Sequence, residues 1–307
     1  MKSISNSIII IISILCLPVF LNAQGIGFLP LQDNPSFAGA AKHSRLISNL
    51  RYSQERSTNN SQSFGAYFSY DKFIKKIGTG IGVTFSQSFY NYESHLDQSS
   101  FKYNGKHTNG SLSVAPKFSL KGKYTISPSM QFSFTYSESY NNSNPPPTNN
   151  NFDPASSNWY GKMGLSFNAR KYYIALSNKL FKKSQQERFF QPNLQAGYVF
   201  EKEDSKFSFI PQLAILYHGS YERYFLESFG LQYNLGFKYG KFLWGIYGDG
   251  DDFIPPNLNA GIQSKNWKIV LLNNLQKNQS ETINYSPRIL VRYLFHQDDP
   301  LKNLIYY

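Results

Sequence analysis

Phe229-Gly230-Leu231-Gln232-Tyr233-Asn234-Leu235-Gly236-Phe237-Lys238-Tyr239 puts an apolar or aromatic side chain at every odd position and a polar residue or glycine at every even one. Successive side chains of an extended chain point to opposite faces, so this segment has one greasy face and one wet face. Roughly ten residues is the length a tilted strand needs to cross a bilayer. The same two-residue beat returns about a dozen times along the chain, the pattern of a transmembrane antiparallel up-and-down β-barrel of the bacterial outer-membrane type.

Composition agrees with that reading. Only 16% of the 307 residues are charged, while 17% are aromatic, with 26 Phe and 23 Tyr, so the chain is unlike an ordinary soluble domain. Yet its mean hydropathy is −0.42. A helical membrane protein needs runs of about twenty apolar residues, and none follows the N-terminus. A barrel is polar on average because half of each strand faces the lumen.

Residues 1–23 read as a cleaved signal peptide: Lys2 supplies the positive end, Ile8 to Leu21 the apolar stretch, and Leu21-Asn22-Ala23 the cleavage site. Cys16, the one cysteine, lies inside it, so no disulfide, thiolate nucleophile or cysteine metal site is expected in the mature chain. The formal charge of +12 would suit nucleic acid, but an exported protein rarely meets it. Lipid phosphate or an acidic exported partner is expected instead.

Residues 44–307 are assigned to the barrel. About fourteen strands are expected, near 44–54, 61–70, 78–90, 107–120, 124–140, 158–169, 172–180, 192–201, 206–218, 227–239, 241–248, 257–265, 267–275 and 285–296. The faces are legible: Phe64, Phe68 and Tyr70 alternate with Ser63, Gly65 and Ser69, and Met130, Phe132 and Phe134 oppose Ser129, Gln131 and Ser133. In the opening segment, Tyr233 and Leu235 are expected to face lipid, and Gln232 and Asn234 the lumen.

Connections after even-numbered strands are mostly short and basic. They carry Lys72, Lys75 and Lys76, then Lys121 and Lys123, then Arg170 and Lys171, Lys202 and Lys206, Lys241, and Lys265. Those after odd strands are less regular, and the longest runs from Asn141 to Ser157 through Pro145-Pro146-Pro147. Outer-membrane barrels have short periplasmic turns and long external loops, so both termini are expected in the periplasm beneath a basic rim.

Catalytic and metal signals are weak. His43, His95, His107, His218 and His296 are scattered, with none at ligand spacing from another. Asp249-Gly250-Asp251-Asp252 offers oxygen ligands for calcium, but the twelfth position of an EF-hand would be Ala260, so an acidic turn is the better reading. No Gly-x-Ser-x-Gly elbow or phosphate-binding glycine motif is present, so neither a barrel hydrolase nor a cofactor is expected.

Between signal and barrel, residues 24–43 form an irregular segment containing Phe28-Leu29-Pro30-Leu31 and Asn34-Pro35-Ser36-Phe37-Ala38-Gly39-Ala40. Proline after asparagine, and glycine two residues after an aromatic, describe a tightly turned stretch that could tuck into the barrel mouth as a partial plug. Its place after an export signal and before a first strand bearing Arg45, Arg51 and Tyr52 resembles the PorP/SprF family of type IX secretion outer-membrane proteins. In that family an Asn-Pro-(small)-(aromatic)-(small)-Gly motif occupies this position, matched here by Asn34, Pro35, Phe37, Ala38 and Gly39.

The resemblance implies a non-enzymatic component of the type IX secretion and gliding apparatus that helps export secreted proteins, such as surface adhesins, or hold them at the cell surface. Its implied partners are those proteins and periplasmic parts of the machine, with outer-membrane lipid around the barrel. The N-terminal segment and the basic rim are the expected contact regions. A porin or hydrophobic-solute channel of similar strand number is the alternative.

Overall fold

In a computed structural model the described residues are 29–41, 44–56, 59–96, 99–141, 155–179, 191–201, 205–217, 229–249, 257–273, 275–277 and 283–295. Their strands are β1 Ser44–Arg56, β2 Asn59–Ile74, β3 Thr79–Leu96, β4 Ser99–Pro116 resuming as Phe118–Leu120, β5 Tyr124–Asn141, β6 Ala155–Asn168 and β7 Tyr172–Lys179. There follow β8 Gln191–Tyr198 resuming as Phe200–Glu201, β9 Phe207–Tyr217, β10 Phe229–Tyr239, β11 Phe242–Asp249, β12 Asn257–Gln263, β13 Trp267–Leu272 resuming as Leu275–Lys277, and β14 Ile283–Tyr285 resuming as Arg288–Phe295. They make a closed antiparallel barrel of 14 strands. The seam joins β1 to β14, from Ser44 opposite Phe295 to Arg51 opposite Arg288. Closure gives every strand two neighbours and removes the unpaired edges that hydrocarbon would not tolerate.

Alternation along each strand sorts side chains between lipid and lumen. On β5, Met130 and Phe132 are exposed while Gln131 and Ser133 are buried, and on β7 Ile174 and Leu176 are exposed while Tyr173, Ala175 and Ser177 are buried. In β10, Asn234 is buried and donates to Gln212 Oε1 at 2.8 Å, and Leu231, of opposite parity, is exposed. Leu235 shares the parity of Leu231, so it faces lipid as expected. No helix among the described residues is long and apolar enough to cross a membrane; the strands make the crossing.

Outward aromatics form a row at the end where the turns are short. Tyr124, Phe167, Tyr172, Tyr198, Phe200, Phe209, Phe237 and Trp244 each approach the next, with ring centroids between 4.2 and 6.5 Å apart. Trp267, Tyr293, Phe295 and Tyr70 continue it across the seam. Such a girdle belongs at a membrane–water interface, where an aromatic ring can be half in hydrocarbon and half in the headgroups.

Two expectations need correction. Lys72 lies inside β2 and not in the connection that follows it; its exposed side chain points outward three positions before the Lys75–Ile77 turn. Strands β3 and β4 also extend further than their alternation suggests, to Leu96 and back from Ser99. Tyr92 to Leu96 and Ser99 to Lys102 contain few apolar residues because these parts of the strands continue past the apolar belt, where neither face has to meet lipid.

The signal at 1–23, most of the long proline-containing loop, Lys202, His43, His218, His296 and Asp251-Asp252 lie outside the described residues. Among those described, no group of three His, Asp or Glu side chains is placed to hold a metal ion.

Candidate functional site

Leu29 to Ala41 pack inside the barrel, near the short-turn end. Pro30–Asp33 makes one helical turn, and Asn34 N donates to Pro30 O at 2.9 Å. Asn34 then caps the following 3-10 turn, Pro35–Phe37, its Oδ1 accepting from Ser36 N at 2.9 Å. Asparagine is a good cap and proline suits the first helical position because its φ is preset and its missing N–H would be unsatisfied there anyway. The Asn-Pro pair is thus the local cause of the turn.

Gly39 ends it with φ +61, a left-handed conformation costly for other residues. A Cβ at Gly39 would stand 2.6 Å from Gly80 Cα and 3.0 Å from Lys72 O, while one at Gly80 would overlap the Ala38 carbonyl. Two glycines therefore let the segment's backbone lie directly on the wall at β2 and β3.

An ion pair fixes this contact. Arg45 and Asp71 stand opposite each other on β1 and β2, both fully buried, with Arg45 Nε 2.7 Å from Asp71 Oδ2. The other carboxylate oxygen, Oδ1, accepts from Gly39 N at 2.8 Å, and Arg45 Nη2 donates to Phe37 O at 3.4 Å. The pair thus satisfies one donor and one acceptor of the segment's own backbone.

The remaining carbonyls are taken by the neighbouring strands. Lys117 Nζ donates to Ser36 O at 2.7 Å and to Ser127 Oγ at 2.9 Å. Gln131 Nε2 reaches Leu31 O at 3.2 Å. Lys162 Nζ donates to Gln32 O at 2.9 Å and Asp33 O at 3.2 Å, and Ser177 Oγ to Asp33 O at 3.1 Å. So short a helix leaves most of its carbonyls without intrahelical partners, and the lumen wall supplies them.

Apolar contacts hold the segment on several sides. Leu31 and Ala38 pack on Ala115 of β4, and Phe37 packs on Ala175 and meets Tyr173 of β7 edge to face at 5.5 Å. Leu29 packs against the cluster of Ile47, Leu243, Tyr247, Val270, Leu272 and Leu290. Since that cluster is contributed by β1, β11, β13 and β14, the segment crosses the lumen from one wall to the other.

Of the residues singled out from the sequence, the structure brings Asn34, Pro35, Phe37, Ala38 and Gly39 together. The basic residues do not converge on them. Lys75, Lys76, Lys121, Lys123, Arg170, Lys171, Lys241 and Lys265 are exposed, distributed around the short-turn rim. His107 faces the lumen, its Nδ1 2.8 Å from Ser137 Oγ, as a single polar side chain. Sequence reading did not single out Asp71, Gly80, Lys117, Gln131 or Lys162 as partners of the segment. Their inward parity was available as a signal, but nothing local shows which inward residues meet it.

No family model and no curated protein matches the chain. Solved structures do. The chain is similar to the toluene transporter TodX of Pseudomonas putida, with a TM-score of 0.57 and 9% identity over 89% of this chain and 98% of that one. It is also similar to a deltaS2S3 mutant of TodX, a monoaromatic hydrocarbon channel, with a TM-score of 0.56 and 10% identity over 86% of this chain and 93% of that one. At such low identity the likeness speaks for the fold alone. Fold, girdle and neighbours together define an outer-membrane β-barrel.

Proposed function

We propose that this barrel is a non-catalytic component of type IX protein secretion and gliding, helping to export secreted proteins such as adhesins or to hold them at the cell surface. The observation that carries the reading is the place of Asn34 to Gly39. The residues resembling the PorP/SprF motif are not a slack linker; they form a capped turn bound to the inner wall by a buried ion pair and two half-buried lysines. A barrel whose lumen is occupied by its own N-terminal segment suits a scaffold better than a free pore.

β1 begins and β14 ends at the short-turn end, so with that end in the periplasm both termini lie there. The exposed lysines and arginine of the rim then face periplasmic parts of the machine, and the outward aromatics face lipid. Pull-down of the full-length protein from detergent-solubilised outer membranes tests this reading. It should recover a secreted surface protein or a periplasmic component of the machine, and recovery of neither would overturn it.

Likeness to TodX favours a second reading, a channel for hydrophobic solutes. The inner wall argues against it, since Ser, Asn, Gln, Lys and Arg side chains line most of the described lumen. In planar bilayers the intact chain should show little conductance, and deletion of residues 29–41 should open discrete steps. Equal conductance with and without the segment would refute a plug, and toluene uptake into vesicles by the intact barrel would favour the channel.

A further inference from the structure

On the loop side of the plug, Arg51 of β1 and Arg288 of β14 are directly opposite in register. Both point into the lumen, because Arg45, Ile47 and Asn49 share the parity of Arg51, Leu290, Arg292 and Leu294 share that of Arg288, and all of these are buried. Arg51 stands six residues beyond Arg45, roughly 20 Å along the strand, so this place is separate from the plug's anchor. Like charges directly opposite on paired strands repel and cost stability. Among the described residues neither arginine forms an ion pair.

Among the described residues the surroundings hold several unpartnered polar groups. Arg288 Nε is buried with no hydrogen-bond partner among the described residues, and so is the side-chain nitrogen of Asn259. Asn259 lies on the same rung as Arg288, two strands away through Leu272. Asn257, next inward on that strand, is buried with both side-chain polar atoms unpartnered among the described residues. Tyr247, which pairs with Asn257 in register, donates its hydroxyl to Asn273 O at 3.0 Å. Buried donors without acceptors are rare and costly.

The wider wall reinforces the sign of the field. Two more basic pairs face the lumen in direct register, Lys162 with Lys179 and Lys268 with Arg292. Among the buried charged side chains of the wall three are basic, Arg45, Lys268 and Arg292, and one is acidic, Asp71, and such an excess draws the opposite ion.

We propose that Arg51 and Arg288, with Asn257 and Asn259 beside them, form a binding site for an oxyanion, a carboxylate or phosphate group that enters from the loop end. Two guanidinium forks converging on one such group make bidentate, charge-assisted hydrogen bonds and turn mutual repulsion into shared attraction. The site does not depend on which machine the barrel serves.

The test uses the full chain in detergent, following the temperature at which the folded band is lost on SDS gels as citrate or inorganic phosphate replaces chloride at constant ionic strength. The wild type should be stabilised saturably by at least one of the two, and whichever acts identifies the group preferred. Arg51→Gln and Arg288→Gln should each weaken that response roughly tenfold. Arg51→Glu places a carboxylate opposite Arg288; it should raise the unfolding temperature without added anion and abolish the response. Stabilisation that never saturates, or that survives unchanged in Arg51→Gln or Arg51→Glu, would overturn the site.

Discussion

Asp71→Ala should destabilise the barrel by about 3–5 kcal/mol, the cost of leaving a buried charge without its partner. Arg45 would lose its ion pair at zero exposure, and Gly39 N its acceptor. Urea unfolding of the protein refolded into lipid vesicles measures the loss. Added protease should also cut within residues 29–41 of the variant far faster than in the wild type. Replacing both partners with apolar residues, Arg45→Met with Asp71→Leu, should recover much of the stability, since the penalty arises from the orphaned charge. If Asp71→Ala unfolds like the wild type and resists protease equally, the ion pair is not what holds the segment.

Leu235→Arg is expected to cost about 2–4 kcal/mol, as a charge placed against hydrocarbon near the middle of a barrel does. Asn234→Arg, one residue away, should cost much less, because its side chain enters a lumen already furnished with Gln212 and water-compatible neighbours. Folded fraction after refolding into vesicles, read as the heat-modifiable band, compares the two. Equal losses would mean that the strand's faces have been assigned the wrong way round.

That one-residue contrast also explains what could be read without coordinates. The period of two is imposed by two different solvents, lipid outside and a wet lumen inside, so Met130 and Phe132 against Gln131 and Ser133 carry the assignment within four residues. Where only one solvent is present the signal fades. Residues 92–96 and 99–102 pair as faithfully as any in β3 and β4, but beyond the apolar belt neither face is selected for greasiness, and the strands looked shorter than they are. The turn at Asn34-Pro35 was legible because its cause is local. Its anchors were not, for Lys162 and Ser177 reach it from 129 to 144 positions away. Long-range partners of this kind share no spacing rule with the residues they hold, and parity narrows the choice only to half of each strand.

The link between plug and wall is short. Ala41 is buried within the lumen segment and Ser44 already pairs with Phe295 at the seam, and three residues of chain span at most about 10 Å. Slack is therefore almost absent, and Arg45, the second residue of β1, grips Phe37 as well. Tension applied to the N-terminus from the short-turn side would be shared between β1 and the wall residues that hold the segment, Asp71, Lys117, Gln131, Lys162 and Ser177. A pull on that end would therefore be spread around much of the ring, with the seam, where Ser44 to Arg51 pair with β14, taking only the part that reaches β1.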